Sequence, residues 1–195
     1  MEMQGEQRIP APRDVVWAAL NDPEVLKECI PGCQTVEKTS DTGFSATVVA
    51  KVGPVSAKFS GKVTLSDIDP PNGYTISGEG QGGVAGFGKG GAKVSLSDDG
   101  AGTLLRYTAT AQVGGKLAQI GSRLVDSAAA KMADDFFAKF NLVAAAKAGP
   151  QPGAEPVAAA PAAIASTSAP TGLRPVVWVP ALIVVAAAVL YLILR

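Results

Sequence analysis

Two short stretches of this chain carry residue types that could do chemistry, and the longer of them is rich in glycine. Residues 78–94 read GEGQGGVAGFGKGGAKV and contain the G-x-G-x-x-G pattern twice. That pattern binds dinucleotides when a strand precedes the glycines and a helix begins within them, because the helix N-terminus then meets the pyrophosphate. Here the continuation, AKVSLSDDG, alternates with a period of two and ends in a turn. The sequence therefore predicts a glycine-rich hairpin and no nucleotide site.

The tip of this hairpin carries two large apolar residues, Val84 and Phe87. Glycine permits bulges and lets other groups approach the backbone closely, so the tip can adopt a sharply curved path. Three interpretations of the apolar pair stay open: it forms a lip over a cavity, it contacts a membrane or a partner, or it folds back onto the core.

The second stretch, ECIPGC, holds both cysteines of the chain, Cys29 and Cys33. Two thiolates alone complete neither a tetrahedral zinc site nor an iron–sulfur cluster. A disulfide or a redox pair is one interpretation. Two small buried thiols in a reducing compartment are the simpler one, and we favour it.

The composition disfavours several classes of function. The chain has no histidine, which removes the commonest general base and metal ligand together with the Ser-His-Asp and Cys-His arrangements. Most acidic residues fall in turns and on outward strand faces, so no pair of inward carboxylates is predicted. The 17 basic and 17 acidic residues cancel, which argues against nucleic-acid binding. We expect no catalytic residues, no metal ligands and no enzyme.

The elements that would position any site are those of an α+β domain over residues 1–147. A first strand leads to two short helices, over residues 12–20 and in DPEVLKECI, where Asn21 or Asp22 caps the second. Strands with period-two alternation follow, as in SAKFSGKVTLS. Residues 114–146 then show apolar spacings of three and four, which predict one long amphipathic helix with a buried face of Leu117, Ile120, Leu124, Ala128, Met132, Phe136, Phe140 and Val143. We predict a curved antiparallel sheet of about six to seven strands around a long C-terminal helix.

The predicted interior is lined by small residues on both the sheet and the helix. Alanines and glycines there allow either a close approach of helix to sheet or room for a ligand, and both interpretations stay open. Such a cavity would be apolar, with the Tyr107 hydroxyl as one hydrogen-bond donor. The residues predicted to line a ligand cavity are Phe59, Val63, Val84, Phe87, Tyr107, Ala109, Leu117, Ile120, Leu124 and Met132.

The C-terminal part of the chain has a different composition. Residues 148–173 are mainly alanine, proline and small polar residues, which predicts a disordered, partly extended linker. Residues 174–195 contain VVWVPALIVVAAAVLYLIL, an uncharged apolar run of about 19 residues that would span roughly 28 Å as a helix, close to the thickness of a bilayer core. Since the N-terminus resembles no secretory signal, we expect a C-terminal tail anchor with the domain on the cytoplasmic face of the cell membrane.

Residues 1–145 resemble the START-like, helix-grip superfamily, and more narrowly the CoxG family of carbon monoxide dehydrogenase subunits. The resemblance is carried by IPAPRDVVWAALNDPEVLKECIPGC, by GPVSAKFSGKVTL, by the pattern GGxxGFxxGxAxVxL over residues 82–96 and by VGGKLAQIGSRLVDSAAAKMADDFFAKF. It implies a role beside a molybdenum-containing CO dehydrogenase or a related hydroxylase, attachment of that enzyme to the membrane, and a hydrophobic cavity between helix and sheet. The molybdenum, flavin and iron–sulfur ligands would belong to the partner.

Together these features suggest a tethered adaptor whose cavity holds a lipid, most plausibly a quinone such as menaquinone or ubiquinone. We expect no metal and no covalent cofactor in this chain. Two alternatives remain: a membrane-recruitment scaffold with a solid interior, and an enzyme of the same fold that acts on a hydrophobic substrate.

Overall fold

A computed structural model describes residues 2–149, and these residues alternate as the sequence predicts: one strand, two short helices, six strands and a C-terminal helical region. The elements are β1 Glu2–Ile9, α1 Arg13–Leu20, α2 Pro23–Cys29, β2 Cys33–Lys38, β3 Gly43–Val52, β4 Val55–Asp69, β5 Gly73–Gln81, β6 Phe87–Asp99, β7 Gly102–Gly114, α3 Lys116–Gln119 and α4 Ser122–Ala148.

All seven strands form one antiparallel sheet in the order β1-β7-β6-β5-β4-β3-β2, which confirms the predicted α+β class. The alternation predicted for β4 is also confirmed. Phe59 and Leu65 are buried on one face, whereas Lys58, Ser60 and Lys62 are exposed on the other. Both β1 near one margin and β3 near the other contact α4, so the sheet curves around that helix. This is the helix-grip arrangement.

Because β2 to β7 pair in sequence order, their turns fall alternately at two ends of the sheet. One end, which we call the glycine end, holds the β3–β4 turn at Gly53, the β5–β6 turn at Gly82–Gly86, the end of β7 at Gly114 and the start of α4. The other, which we call the acidic end, holds the β2–β3, β4–β5 and β6–β7 turns and the α1–α2 junction. Helix α4 runs from the glycine end towards the acidic end, where Lys147 Nζ lies 3.2 Å from Asp22 Oδ2.

The two short helices begin and end where their local chemistry dictates. The side chain of Asp22 accepts a hydrogen bond from the Glu24 N–H (3.0 Å), and Pro23 occupies the first helical position of α2. Of the two capping residues predicted, Asp22 is therefore the cap. Val16, Ala19, Val25 and Leu26 are buried against the sheet and α4.

The prediction of one continuous helix over residues 114–146 is wrong at its start. The single turn α3 is separated from α4 by Ile120 and Gly121, and Gly121 has φ +91°. Gly115, before α3, has φ +71°. Glycine adopts this left-handed region readily, so the chain can turn sharply at both positions. The apolar spacing alone could not reveal the break because it runs on through α3 without a proline.

The buried face of α4 is shifted by one residue from the predicted one over its first half. Leu124 is 47% exposed, whereas Val125, Ala129 and Ala133 are buried. The two alanines are fully buried, which shows that the small residues here serve a close approach of helix to sheet. Farther along, the buried and stacked rings of Phe136 and Phe140 (centroids 5.3 Å apart) agree with the prediction.

The predicted linker beyond residue 149 and the predicted anchor over residues 174–195 lie outside the described residues. Within residues 2–149, no helix is both long and apolar enough to cross a membrane.

Candidate functional site

The candidate site is an apolar cavity of about 50 Å³ between α1, α2 and the inner face of the sheet. It lies in the half of the domain nearer the acidic end, because Phe44 and Tyr74 stand one residue inside the β2–β3 and β4–β5 turns. Its lining residues are Leu20, Leu26, Ile30, Val36, Phe44, Ser45, Ala46, Val63, Leu65, Tyr74 and Ile76.

Three elements with simple sequence signals, β5, α1 and α2, position part of this lining. Period-two alternation in β5 directs Tyr74 and Ile76 inward. The short helices place Leu20 and Leu26 over them, since both residues are on the buried sides of α1 and α2. The ring of Trp17 meets the ring of Tyr74 edge-on at a centroid distance of 5.4 Å, which fixes the tyrosine against α1.

Tyr74 and Ser45 are the hydroxyl-bearing residues of the lining, and Tyr74 is almost wholly buried. Burial raises the pKa of Tyr74 well above its usual range. The phenol therefore stays protonated at physiological pH and is a hydrogen-bond donor to any acceptor that enters. The lining contains no carboxylate, amine or thiol, so it offers a ligand apolar contacts and one or two hydroxyl groups but no general acid–base pair.

The ten residues predicted to line a ligand cavity do not form one site in the structure. Val63 lines the observed cavity. Phe59, Tyr107, Ala109 and Leu117 are buried elsewhere in the core, and the remaining five are only partly buried or are exposed: Ile120, Met132, Val84, Phe87 and Leu124.

Tyr107 and Tyr74 share one cross-strand row, with Val94 between them. Two strand spacings therefore separate them, about 10 Å. Sequence reasoning chose Tyr107 and missed Tyr74, together with Phe44 and the apolar residues of α1 and α2. The inward alternation of β5 and the apolar residues of the short helices were the signals that could have found them.

The glycine-rich stretch forms a hairpin, as predicted. The Gly82 N–H donates to the Gly86 carbonyl (2.9 Å), a short 3₁₀ turn spans Gly83–Ala85, and β6 begins at Phe87. With no helix starting among the glycines, the geometry of a dinucleotide site is absent from residues 78–94.

The hairpin glycines serve close packing at the glycine end. A Cβ on Gly82 would overlap the ring of Phe59, and a Cβ on Gly114 would overlap the ring of Phe87. Phe87 thus partly folds back onto the end of β7 and is still 40% exposed, whereas Val84 is 84% exposed. Of the three interpretations of this pair, Phe87 fits partial packing and Val84 does not pack.

The two cysteines are free thiols. Burial raises the pKa of Cys29 to about 11 and also raises that of Cys33, so both thiols stay protonated near neutral pH. Because the thiolate is the reactive form, this agrees with the interpretation of two structural thiols. Across residues 2–149, no group of three or more cysteine or acidic side chains is placed to hold a metal ion.

Comparison with known proteins shows where this fold belongs. The family model of CoxG, a subunit of carbon monoxide dehydrogenase, matches residues 5–145. The chain belongs to the CoxG family. The match covers nearly all the described elements, from β1 into the last turns of α4. No curated protein sequence matches the chain.

Several solved structures are similar to this CoxG-family protein. A conserved protein from Geobacillus kaustophilus is 31% identical, with a TM-score of 0.70 over 75% of this chain and 96% of that chain. Protein Ms6760 from Mycobacterium smegmatis is 15% identical, with a TM-score of 0.57 over 74% and 91% of the two chains. The ZhuI aromatase/cyclase from Streptomyces sp. R1128 is 12% identical, with a TM-score of 0.53 over 74% and 93%. At such low identity the last two show the shared helix-grip fold alone.

Proposed function

We propose that this CoxG-family protein is an accessory subunit of a molybdenum CO dehydrogenase-type hydroxylase, which it recruits to the cytoplasmic face of the cell membrane through a C-terminal anchor. We further propose that it binds a quinone or another lipid between the sheet and the short helices. The family name, which describes a subunit of carbon monoxide dehydrogenase, supports the partner. The apolar run over residues 174–195 supports the anchor.

The observation that carries the ligand is the apolar lining with the protonated Tyr74 among its residues. A quinone presents two carbonyl oxygens, which accept hydrogen bonds, on a ring that is otherwise apolar. A protonated tyrosine hydroxyl is a matching donor. A soluble dehydrogenase must pass electrons to a respiratory chain whose quinone is dissolved in lipid, and a tethered carrier would bring the two together.

The volume sets a condition on this proposal. A cavity of about 50 Å³ holds far less than a quinone ring, and sites for molecules of that size usually enclose about 300 Å³ or more. The described conformation is therefore the closed, unliganded one in our proposal. Opening would move α1 and α2 away from the sheet, because the cavity lies directly beneath these two helices.

We expect the full-length protein, purified in mild detergent, to carry a quinone that organic extraction and mass spectrometry detect. Tyr74→Phe removes one hydrogen-bond donor and keeps the ring, so it should weaken quinone binding about threefold to tenfold. The matched control is Tyr107→Phe, on the same sheet face but outside the cavity lining, which should leave binding unchanged. Deletion of residues 174–195 should release the dehydrogenase from the membrane fraction.

The possible results separate the parts of the proposal. An extract without quinone, together with no binding of added menaquinone or ubiquinone analogues, would contradict the proposed ligand but not the proposed recruitment of the dehydrogenase. A loss of binding in Tyr107→Phe but not in Tyr74→Phe would place the ligand elsewhere in the fold. A dehydrogenase that stays on the membrane without residues 174–195 would remove the anchor.

A recruitment scaffold without a ligand is the second candidate, and the small volume of the cavity favours it. An enzyme on a hydrophobic substrate is a weaker candidate. It has a fold relative in the ZhuI aromatase/cyclase, but the cavity lining of this chain has no carboxylate or amine to move a proton. We expect the purified protein to have no catalytic activity of its own.

A further inference from the structure

The glycine end of the domain exposes large apolar side chains from two separate elements. Val84, on the β5–β6 turn, is 84% exposed, and Phe87, where β6 begins, is 40% exposed. Leu124, in the first turn of α4, is 47% exposed and lies against Gly53 of the β3–β4 turn. The β5–β6 turn also contacts β4 and α3. These side chains therefore belong to one end of the molecule, where they form an apolar surface exposed to solvent.

Basic residues surround this apolar surface. Residues 51–58, 80–92 and 110–125 of the glycine end contain no aspartate or glutamate, although Glu79 lies opposite Lys89 in the β5–β6 pair and Glu2 lies opposite Thr110 in the β1–β7 pair. The charged residues of these three segments are all basic, and all are exposed: Lys51, Lys58, Lys89, Lys116 and Arg123.

The opposite end carries most of the carboxylates of the domain, several of which pair with Arg8, Arg13 and Lys147. Its turns carry Asp41, Asp69 and the Asp98–Asp99 pair, and acidic residues of α1 and α2 lie beside them. Although the chain has no net formal charge, its charges are separated along the axis of the sheet. A negatively charged surface would attract the glycine end and repel the acidic end, which orients the domain as it approaches.

We propose that the glycine end is a docking surface for an anionic lipid bilayer. Val84, Phe87 and Leu124 would enter the headgroup region, where burial of apolar side chains is favourable. The ring of lysines and Arg123 would contact lipid phosphates, each raising the partition constant by about fivefold. A protein partner would need complementary groups arranged to fit one shape, whereas a bilayer needs only what this end presents: protruding apolar side chains within a basic ring.

The C-terminus of α4 lies at the end of the domain opposite the proposed docking surface, so the glycine end can reach the bilayer only if the linker is long enough. Helix α4 has 27 residues and is therefore about 40 Å long, and the chain leaves it at the acidic end. When the glycine end of an anchored domain lies on the bilayer, the chain after α4 must therefore span about 40 Å back to the membrane. Residues 149–173, between α4 and the proposed anchor, would cover up to about 78 Å if fully extended at about 3.1 Å per residue, which exceeds this distance. The inference rests on the proposed function only in taking residues 174–195 as the anchor.

The test uses the full-length chain with Cys33→Ser and a spin label on Val84→Cys, in nanodiscs of pure phosphatidylcholine or with about one third phosphatidylglycerol. The collision rate of the spin label with dissolved oxygen, which concentrates in lipid, is compared with its collision rate with a water-soluble nickel chelate. The matched control is Leu142→Cys, an apolar site on α4 that is 73% exposed. We expect the label at 84 to gain oxygen contact and lose nickel contact in the anionic discs, and the label at 142 to stay in water.

A second variant tests the basic ring without touching the packed hairpin. Lys89→Gln combined with Lys116→Gln should lower the fraction of lipid-embedded label at position 84 at least fivefold in anionic discs. A label at 84 that stays in water in both kinds of disc would overturn the proposal. Two other results would also overturn it. One is a label at 84 that embeds as well in neutral discs, or in the glutamine variant, as it does in the wild type in anionic discs. The other is a label at 84 that the dehydrogenase protects from the nickel chelate when no bilayer is present.

Retention of the chain after carbonate extraction of vesicles reports the anchor separately. A chain that is extracted but still embeds its label at 84 in anionic vesicles would contradict the anchor and support the docking surface. A chain that is retained with its label in water would do the reverse.

Discussion

At the scale of single residues, Asp22 joins three parts of the domain. It caps α2 through the Glu24 N–H, it stands at the end of α1, and it pairs with Lys147 near the end of α4. Partial burial favours its neutral form, but the hydrogen bonds from Lys147 and from the Glu24 N–H outweigh this effect and hold the pKa of Asp22 below its usual value. Because the pKa is lower in the folded protein than in the unfolded chain, ionised Asp22 stabilises the fold at neutral pH, and this contribution is lost as the pH falls through the folded value.

We expect Asp22→Ala to lower the free energy of unfolding by about 1 kcal/mol at pH 7, because it removes the helix cap. Asp22→Asn keeps a capping oxygen and removes only the charge, so it should cost less. Urea unfolding as a function of pH checks both. The difference between wild type and Asp22→Asn should begin to shrink below about pH 4, where Asp22 takes up a proton in the unfolded chain, and should be lost once the pH falls below the lower pKa of the folded state. A difference that stays constant down to pH 2 would contradict the role of the charge.

At the scale of elements, the β5–β6 hairpin depends on backbone conformations that few residues other than glycine adopt. Gly86 has φ +117° and ψ −152°. A Cβ there would also overlap the carbonyl oxygen of Gly114 at the end of β7. Gly83, in the same turn, has φ +58° and open space around it. The pair separates the effect of close packing from that of backbone conformation alone.

We expect Gly86→Ala to destabilise the protein by about 3 kcal/mol or to detach the hairpin from β7, since strain and overlap add together. Gly83→Ala should cost only about 1 kcal/mol. Urea unfolding gives the two free energies, and amide hydrogen exchange over residues 82–88 shows whether the hairpin opens locally. Equal costs for the two substitutions would mean that contact with Gly114 contributes little.

At the scale of the whole molecule, the domain is electrically polar and the chain leaves it at the acidic end. A proposed anchor that follows a linker from the acidic end pulls that end towards the membrane, whereas the charges and the exposed apolar residues favour the glycine end. If residues 174–195 are the proposed anchor, the length of the predicted linker decides which of these orientations is reached.

We expect deletion of residues 155–172 to leave about 22 Å of reach, less than the length of α4. The protein should then stay in the membrane fraction after carbonate extraction, but a spin label at position 84 should remain in water in anionic discs. Replacing the deleted residues with a glycine–serine sequence of equal length should restore embedding of the label. Embedding in the shortened chain would show that the domain reaches the bilayer by another path.

Sequence reasoning correctly predicted the elements that have a strong local signal. Alternation in β4 and in the second half of β6 marked these strands and identified the glycine-rich stretch as a hairpin. The sequence-based prediction was wrong where one apolar pattern is compatible with two different buried faces. Leu124 and Val125 both fit a helical stripe, and only contact with the sheet shows that Val125 is buried. The choice of Tyr107 rather than Tyr74 as a cavity residue stays a prediction, because both tyrosines alternate inward equally well in their own strands.

The sequence by itself determined the α+β class, the order of the strands along the chain and the CoxG family, because these follow from local periodicity and from motifs that are continuous in the chain. Only the tertiary structure decided where the space in the core lies, which tyrosine meets it, and that the basic and apolar residues of separate segments gather at the glycine end. Those properties depend on the curvature of the sheet and on the distance between residues far apart in sequence. No single segment encodes them.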